Sequence, residues 1–147
     1  MIPPAIVEWA MWARLDRYQS IELILLKGHL LVEILLNDRL SILALQKEIA
    51  IEDLSFYRKL VILEKSAYFA EDDRKMIIYL AKDLNKLRNK LAHEIFYDGL
   101  EMDTEQWSKE VLKYIQSTKV QKYTSRTRFT QAIAALGQAL YEINDKQ

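Results

Sequence analysis

Very little in this chain interrupts a helix. Its 147 residues include only three glycines and two prolines, and both prolines, Pro3 and Pro4, stand near the N-terminus. Glycine and proline most often mark the turns between short strands, so their scarcity argues against a sheet. Half of the residues are hydrophobic, enough for a packed core in one domain of ordinary length. The sequence therefore predicts a single all-α domain spanning residues 1–147.

Helical spacing of the apolar residues predicts six segments. They lie at residues 4–14, 20–45, 54–65, 72 or 73 to 93, 103–116, and from 124 or 125 to near the C-terminus. The segment 20–45 is apolar on several sides, with Leu26 and Leu36 widening its apolar stripe, and we expect it to be the central helix, buried on several sides. In the segment 54–65, Phe56, Leu60 and Leu63 fall on one face, which we expect to be buried. Asp103-Thr104-Glu105-Gln106 has the residue types of a capping box at the start of the fifth helix. Short connections predict antiparallel neighbours in an up-and-down bundle of five to six helices.

The composition excludes several classes of protein. No cysteine is present, which removes thiolate chemistry and cysteine-type zinc sites. The most apolar stretch, residues 21–36, carries four polar or charged residues and is too short to span a bilayer. Two histidines on different helices, without a Glu-x-x-His motif, do not supply the ligands of a di-metal bundle site. We expect a cytoplasmic protein with no metal, no cofactor and no membrane partner.

Charge is balanced overall but not locally. The chain has 21 basic and 21 acidic residues, so its global charge gives no support to nucleic-acid binding. Residues 109–128 nevertheless hold six basic side chains against Glu110 alone. The basic residues are Lys109, Lys113, Lys119, Lys122, Arg126 and Arg128. This region predicts either a contact with the RNA backbone, chiefly through the last four, or simply a solvated helical surface.

The end of the fourth predicted helix carries a polar face opposite its leucine stripe. At about 100° per residue, Asn89 lies about 40° and His93 about 80° from Asn85, while Arg88 lies about 60° to the other side. A guanidinium and an imidazole there could hold a phosphate, stabilise its developing charge and move protons. An arginine and a histidine at a helix C-terminus also cap free carbonyls and complement the helix dipole. Spacing leaves both interpretations open.

The second predicted helix carries a polar pair within its apolar run. His29 and Glu33 are four residues apart and therefore neighbours on one face. If that face meets the fourth helix, Glu33 could orient Arg88 or His93. The alternative is a structural salt bridge.

A resemblance to a known family lies in the segment Arg88-Asn89-Lys90-Leu91-Ala92-His93. This segment resembles the Arg-polar-His signature of the HEPN superfamily, and in that superfamily the signature lies at the end of a helix in a small bundle. Two further segments fit the same order. Gly28 to Leu36 is similar to the second-helix pattern of several such families, and Leu54 to Leu60 resembles relatives of the mannitol-operon repressor. Together the resemblance covers roughly residues 20–96.

The resemblance implies a HEPN-like bundle acting as a metal-independent endoribonuclease, often a toxin or defence effector with a cognate antitoxin. Arg88 and His93 match the catalytic pair, and Asn89 matches the adjacent polar position. It also implies a homodimer in which two such helices form one composite site on RNA. One subgroup has a tyrosine two residues after the histidine; here that position is Ile95, and Tyr97 lies two residues further on.

A second hypothesis comes from a different class of protein. Non-catalytic members of the superfamily exist, and the segments similar to the mannitol-operon repressor favour them. On this hypothesis, the same helical face binds RNA, a nucleotide or a regulatory protein without cleaving anything.

Overall fold

The computed structural model describes residues 6–48, 50–66, 73–117 and 124–143. These residues form six α-helices: α1 (Ile6–Leu15), α2 (Ile21–Gln46), α3 (Phe56–Ser66), α4 (Asp73–His93), α5 (Leu100–Tyr114) and α6 (Ser125–Tyr141). A short 3₁₀ helix at Ile51–Asp53 connects α2 to α3, and the described residues contain no strand. The predicted all-α bundle is confirmed.

The most enclosed helix is α6 rather than α2. Every residue from Phe129 to Gln138 is buried, and α6 packs against α1, α2, α4 and α5. Small side chains on α6 and on its neighbours allow this close approach. A Cβ atom added at Gly28 of α2 would lie 2.6 Å from Cδ1 of Ile133, and one added at Gly137 would collide with Met11 of α1. Helix α2 packs against every other described helix, as expected of a central helix, although one of its faces stays exposed.

The N-terminal ends of α5 and α6 differ in how well the sequence predicts them. Thr124 caps α6 through a capping box shared with Thr127, as expected for a helix that begins at 124 or 125. Helix α5 begins at Leu100, with Gly99 as its N-cap, three residues before the predicted start. Asp103, the N-cap of the predicted capping box, lies inside the first turn, and its carboxylate accepts a hydrogen bond from the Tyr97 hydroxyl.

Helices α4 and α5 are joined by a buried aromatic contact that fixes the middle of α4. The Trp107 indole nitrogen donates to the Leu80 carbonyl oxygen at 3.0 Å. The same indole meets the Phe129 ring edge-on at 5.7 Å between centroids. Leu80, Leu84 and Ala81 are fully buried, so the opposite face of α4 is turned outward. That outward face carries the residues predicted to be functional.

None of the described helices is both long enough and apolar enough to cross a bilayer.

Candidate functional site

A cleft of about 620 Å³ lies between α2, the start of α3 and the C-terminal half of α4. Its walls combine leucine side chains, two asparagine amides and charged groups. The lining residues are Leu23, Leu26, Lys27, His29, Leu30, Glu33, Ser55, Phe56, Asn85, Arg88 and Asn89. The mixture of apolar and hydrogen-bonding groups is typical of a small-molecule or nucleotide site.

Five of the six residues predicted to form the catalytic and supporting set line this one cleft. Helix α2 contributes His29 and Glu33, while α4 contributes Asn85, Arg88 and Asn89. The two helices pack against each other, and their facing polar residues meet at the cleft. Residues 56 positions apart in the sequence are thereby brought into hydrogen-bond contact.

His29 is the most buried polar group among the residues that line the cleft. Only 7 % of it is exposed, its Nε2 lies 2.9 Å from the Asn85 Oδ1, and its ring stacks on Phe56 at 4.1 Å between centroids. Burial lowers the pKa of His29 below its ordinary value, and the nearby charge of Arg88 acts in the same direction. Because an amide oxygen can only accept, the His29 Nε2 carries the proton. The imidazole is therefore a neutral positioning group for Asn85 near neutral pH.

Glu33 contacts Lys59 of α3. Its Oε2 lies 3.1 Å from the Lys59 ammonium, whose side chain is only 4 % exposed, against 28 % for Glu33. Of the two interpretations left open for Glu33, this contact corresponds to the structural salt bridge. The pair ties α2 to α3 at the floor of the cleft and neutralises the cleft's carboxylate.

Arg88 is a half-buried cation at the edge of the cleft. Its nearest polar partner is the Asn89 side-chain oxygen, 3.4 Å away, which is a weak hydrogen bond. The lysines on either side of it along α4 are ion-paired, Lys86 with Asp83 and Lys90 with Asp103. Within the described part of the chain, no carboxylate pairs with Arg88. Its guanidinium is therefore available to an anion.

His93 is the last residue of α4, and it is exposed outside the lining of the cleft. Five residues separate it from Arg88, which places the two side chains about 140° apart around the helix axis. The next segment exposes two large apolar side chains, Ile95 at 93 % and Phe96 at 83 %. Arg88 and His93 of one chain therefore face different directions, and a surface of apolar character lies beside His93.

Tyr97 fixes the connection that follows His93. Its hydroxyl donates to the Asp103 carboxylate at 2.5 Å, and the Lys90 ammonium lies 4.6 Å from its ring centroid. Burial, together with the hydrogen bond to Asp103, raises the pKa of Tyr97 above its ordinary value. The tyrosine is thus a neutral structural link between the end of α4 and the first turn of α5.

The two described arginines of the predicted RNA-contact set are bound to different parts of the fold. Arg126 donates to the carbonyl oxygen of Tyr18 at 3.1 Å and pairs with Asp16, so it joins α6 to the end of α1. Arg128 pairs with Glu105 of α5. Both guanidinium groups are thus used within the fold. Lys119 and Lys122 lie outside the described residues.

Several cleft residues were absent from the predicted set. Leu23, Leu26 and Leu30 lie on one face of α2 at spacings of three and four residues, and Lys27 stands beside them. Leu26 was expected to widen the buried stripe, yet it is 41 % exposed. A helix that is apolar on all sides was a signal that one of those sides lines a site or an interface. Phe56 was correctly expected to be buried, but its role beneath His29 was not foreseen.

Among the described residues, no group of three or more histidine, aspartate and glutamate side chains is arranged to hold a metal ion. Comparisons with protein-family models, with curated proteins and with solved structures found no match.

Proposed function

We propose that this protein is an endoribonuclease of HEPN type that cleaves RNA without a metal ion, with the cleft as its RNA-binding site. The observation that carries the proposal is the guanidinium of Arg88, which pairs with no carboxylate among the described residues and lies at the edge of a cleft that also holds Asn85 and Asn89. The resemblance of residues 88–93 to the HEPN signature supplies the choice of reaction. A toxin or defence role with a cognate antitoxin belongs to the same proposal.

The proposed reaction is an in-line transfer on one phosphodiester. The ribose 2′-oxygen forms a bond to phosphorus and loses its proton to a base, while the bond from phosphorus to the 5′-oxygen breaks and that oxygen gains a proton. The products are a 2′,3′-cyclic phosphate and a 5′-hydroxyl. Arg88 stabilises the charge that develops on the phosphoryl oxygens, and Asn89 helps to orient them. His93 transfers protons, which suits an imidazole near neutral pH.

The proposed active unit is a homodimer. Within one chain, Arg88 and His93 point about 140° apart, so one phosphate is not readily reached by both. A two-fold axis near the end of α4 would place Arg88 of one protomer opposite the other protomer's His93. The exposed Ile95 and Phe96 beside His93 offer the apolar surface that such a contact would bury.

The test is incubation of purified protein with total RNA in EDTA, comparing wild type with Arg88→Ala and His93→Ala. Lys86→Ala is the matched control, because Lys86 is an exposed cation of the same helix that does not line the cleft. We expect the first two variants to lose cleavage and the control to keep it. Mixing the two inactive variants gives heterodimers whose composite site keeps one Arg88 and one His93, each from a different protomer, so part of the activity should return.

Two results would count against the proposal. Cleavage by a wild-type monomer in sedimentation would refute the composite site. RNA binding with no cleavage by any form would instead favour the non-catalytic regulatory module, for which the similarity of residues 54–60 to relatives of the mannitol-operon repressor is the specific support.

A further inference from the structure

We propose that the cleft beside Arg88 is a nucleotide subsite, in which a nucleobase lies against the leucine wall of α2 while the 5′-phosphate contacts Arg88 and Lys27. This inference rests on the proposed function in one respect: it takes the ligand as a unit of RNA. Binding of a single nucleotide does not depend on cleavage, so the two can fail separately.

The first support is an apolar wall that the chain itself leaves uncovered. Leu23, Leu26 and Leu30 are 43 %, 41 % and 48 % exposed and line the cleft together. The His29 ring, stacked on Phe56, lies behind them. A nucleobase has two flat apolar faces and gains free energy when they are removed from water against such side chains.

The second support is a fixed polar edge beside that wall. The Asn85 Oδ1 accepts from the His29 Nε2 at 2.9 Å, which sets the orientation of the amide. The Asn85 amide nitrogen has no hydrogen-bond partner among the described residues, so its two N–H groups are available to a ligand. Nucleobases carry carbonyl oxygens and ring nitrogens that accept such bonds. A hydrocarbon ligand would leave these donors unused.

The third support is charge complementarity for a phosphate. Arg88 and Lys27 both line the cleft, and neither is ion-paired in the described part of the chain. The cleft's one carboxylate, Glu33, is already paired with Lys59. The cleft is therefore cationic at its rim, and arginine binds phosphate oxygens through two parallel N–H groups.

The fourth support is size. At about 620 Å³, the cleft falls in the range of small-molecule sites and exceeds what a bare phosphate would fill. An apolar wall, a donor edge and a cationic rim in one space of this size match the three parts of a nucleoside monophosphate.

The experiment measures binding by titration calorimetry on the full-length His93→Ala variant, which separates affinity from cleavage. The probes are the four ribonucleoside 5′-monophosphates, with ribose 5-phosphate as the ligand that lacks a base. We expect at least one nucleotide to bind at least about tenfold more tightly than ribose 5-phosphate. Equal affinity for all five ligands would overturn the subsite.

Two matched pairs of variants then locate it. Leu30→Ser is compared with Ile34→Ser, because Ile34 lies on the same stretch of α2 at 54 % exposure but does not line the cleft. Arg88→Gln is compared with Lys86→Gln on α4. We expect Leu30→Ser to weaken nucleotide binding about fivefold without changing ribose 5-phosphate binding. Arg88→Gln should weaken the binding of both the nucleotide and ribose 5-phosphate. The two control variants should leave the binding of both ligands unchanged.

A leucine wall buried by a second copy of the chain would give a different result. Leu30→Ser would then shift the sedimentation coefficient and leave nucleotide affinity unchanged, and the subsite would be refuted. Nucleotide binding that depends on Leu30 and Arg88 in a protein that never cleaves RNA would sustain the subsite and refute the nuclease.

Discussion

Glu33 and Lys59 form one ion pair, but removing Glu33 should destabilise the fold more than removing Lys59. The Lys59 side chain is 4 % exposed, whereas the Glu33 side chain is 28 % exposed, and their charged atoms lie 3.1 Å apart. Removing the carboxylate leaves a cation buried with no counter-charge among the described residues. Removing the cation leaves a carboxylate that water still reaches. The two single substitutions should therefore differ in cost.

Breaking a buried ion pair from one side costs about 3–5 kcal/mol, and the partial exposure of Glu33 reduces that figure. We expect Glu33→Leu to lower the free energy of unfolding by about 2–3 kcal/mol, and Lys59→Met by about 1 kcal/mol. The double variant should recover most of the loss, since apolar side chains of similar volume replace a buried pair at little cost. For a chain of this size, the first value corresponds to a Tm lower by roughly 5–10 °C.

The assay is urea unfolding followed by circular dichroism for the two single variants and the double variant. Glu64→Leu is the control, because its pair with Lys82 spans 3.8 Å and Glu64 is 41 % exposed, so the expected change is below about 1 kcal/mol. A larger loss for Lys59→Met than for Glu33→Leu would refute the reasoning. The reasoning would also be refuted if the double variant were no more stable than Glu33→Leu alone.

Three further predictions address the fold and the cleft. Thr124→Ala removes the capping box of α6 and should cost about 1–2 kcal/mol in urea unfolding; a loss below about 0.5 kcal/mol would contradict that role. Gly28→Ala should cost about 1–2 kcal/mol, because its Cβ would meet the fully buried Ile133, and adding Ile133→Val should recover part of the loss. The folded-state pKa of His29 is lowered, so its contribution to stability should decline as the pH falls through the ordinary histidine value of 6.5 and continue to decline to the folded pKa. Between pH 7 and pH 5, the free energy of unfolding should decline less for His29→Gln than for wild type. An equal decline in both proteins would refute the lowered pKa of His29.

Local pattern was enough for most of the helices and for much of the core. The spacing of Phe56, Leu60 and Leu63 predicted the buried face of α3, and all three are buried. That success follows from the fixed 3.6-residue period, which puts residues three and four apart on one face whatever surrounds the helix. The start of α5 was predicted wrongly, because Asp103 has the chemistry of an N-cap but lies inside the helix, where its carboxylate accepts from Tyr97.

The residues that resemble the HEPN signature lie at the C-terminal end of α4, but the cleft that Arg88 and Asn89 line needed the tertiary structure. Sequence spacing placed Asn85 and Arg88 on a polar face of α4, and it placed His29 on α2. Only the packing of α2 on α4 brings His29 to 2.9 Å from Asn85 and forms the cleft between them. The tertiary structure also pairs Glu33 with Lys59. The sequence had left open whether Glu33 forms a salt bridge or orients Arg88.

The sequence by itself determined that the chain is helical and which faces of most helices are apolar. Both properties depend on neighbours within one or two turns. Which apolar face is covered depends on long-range contacts instead. Helix α6 is enclosed because residues such as Gly137 let other helices approach closely, while Leu23, Leu26 and Leu30 of α2 stay more than 40 % exposed and line the cleft. Periodicity shows which face of a helix is apolar, but only the tertiary structure decides what that face contacts.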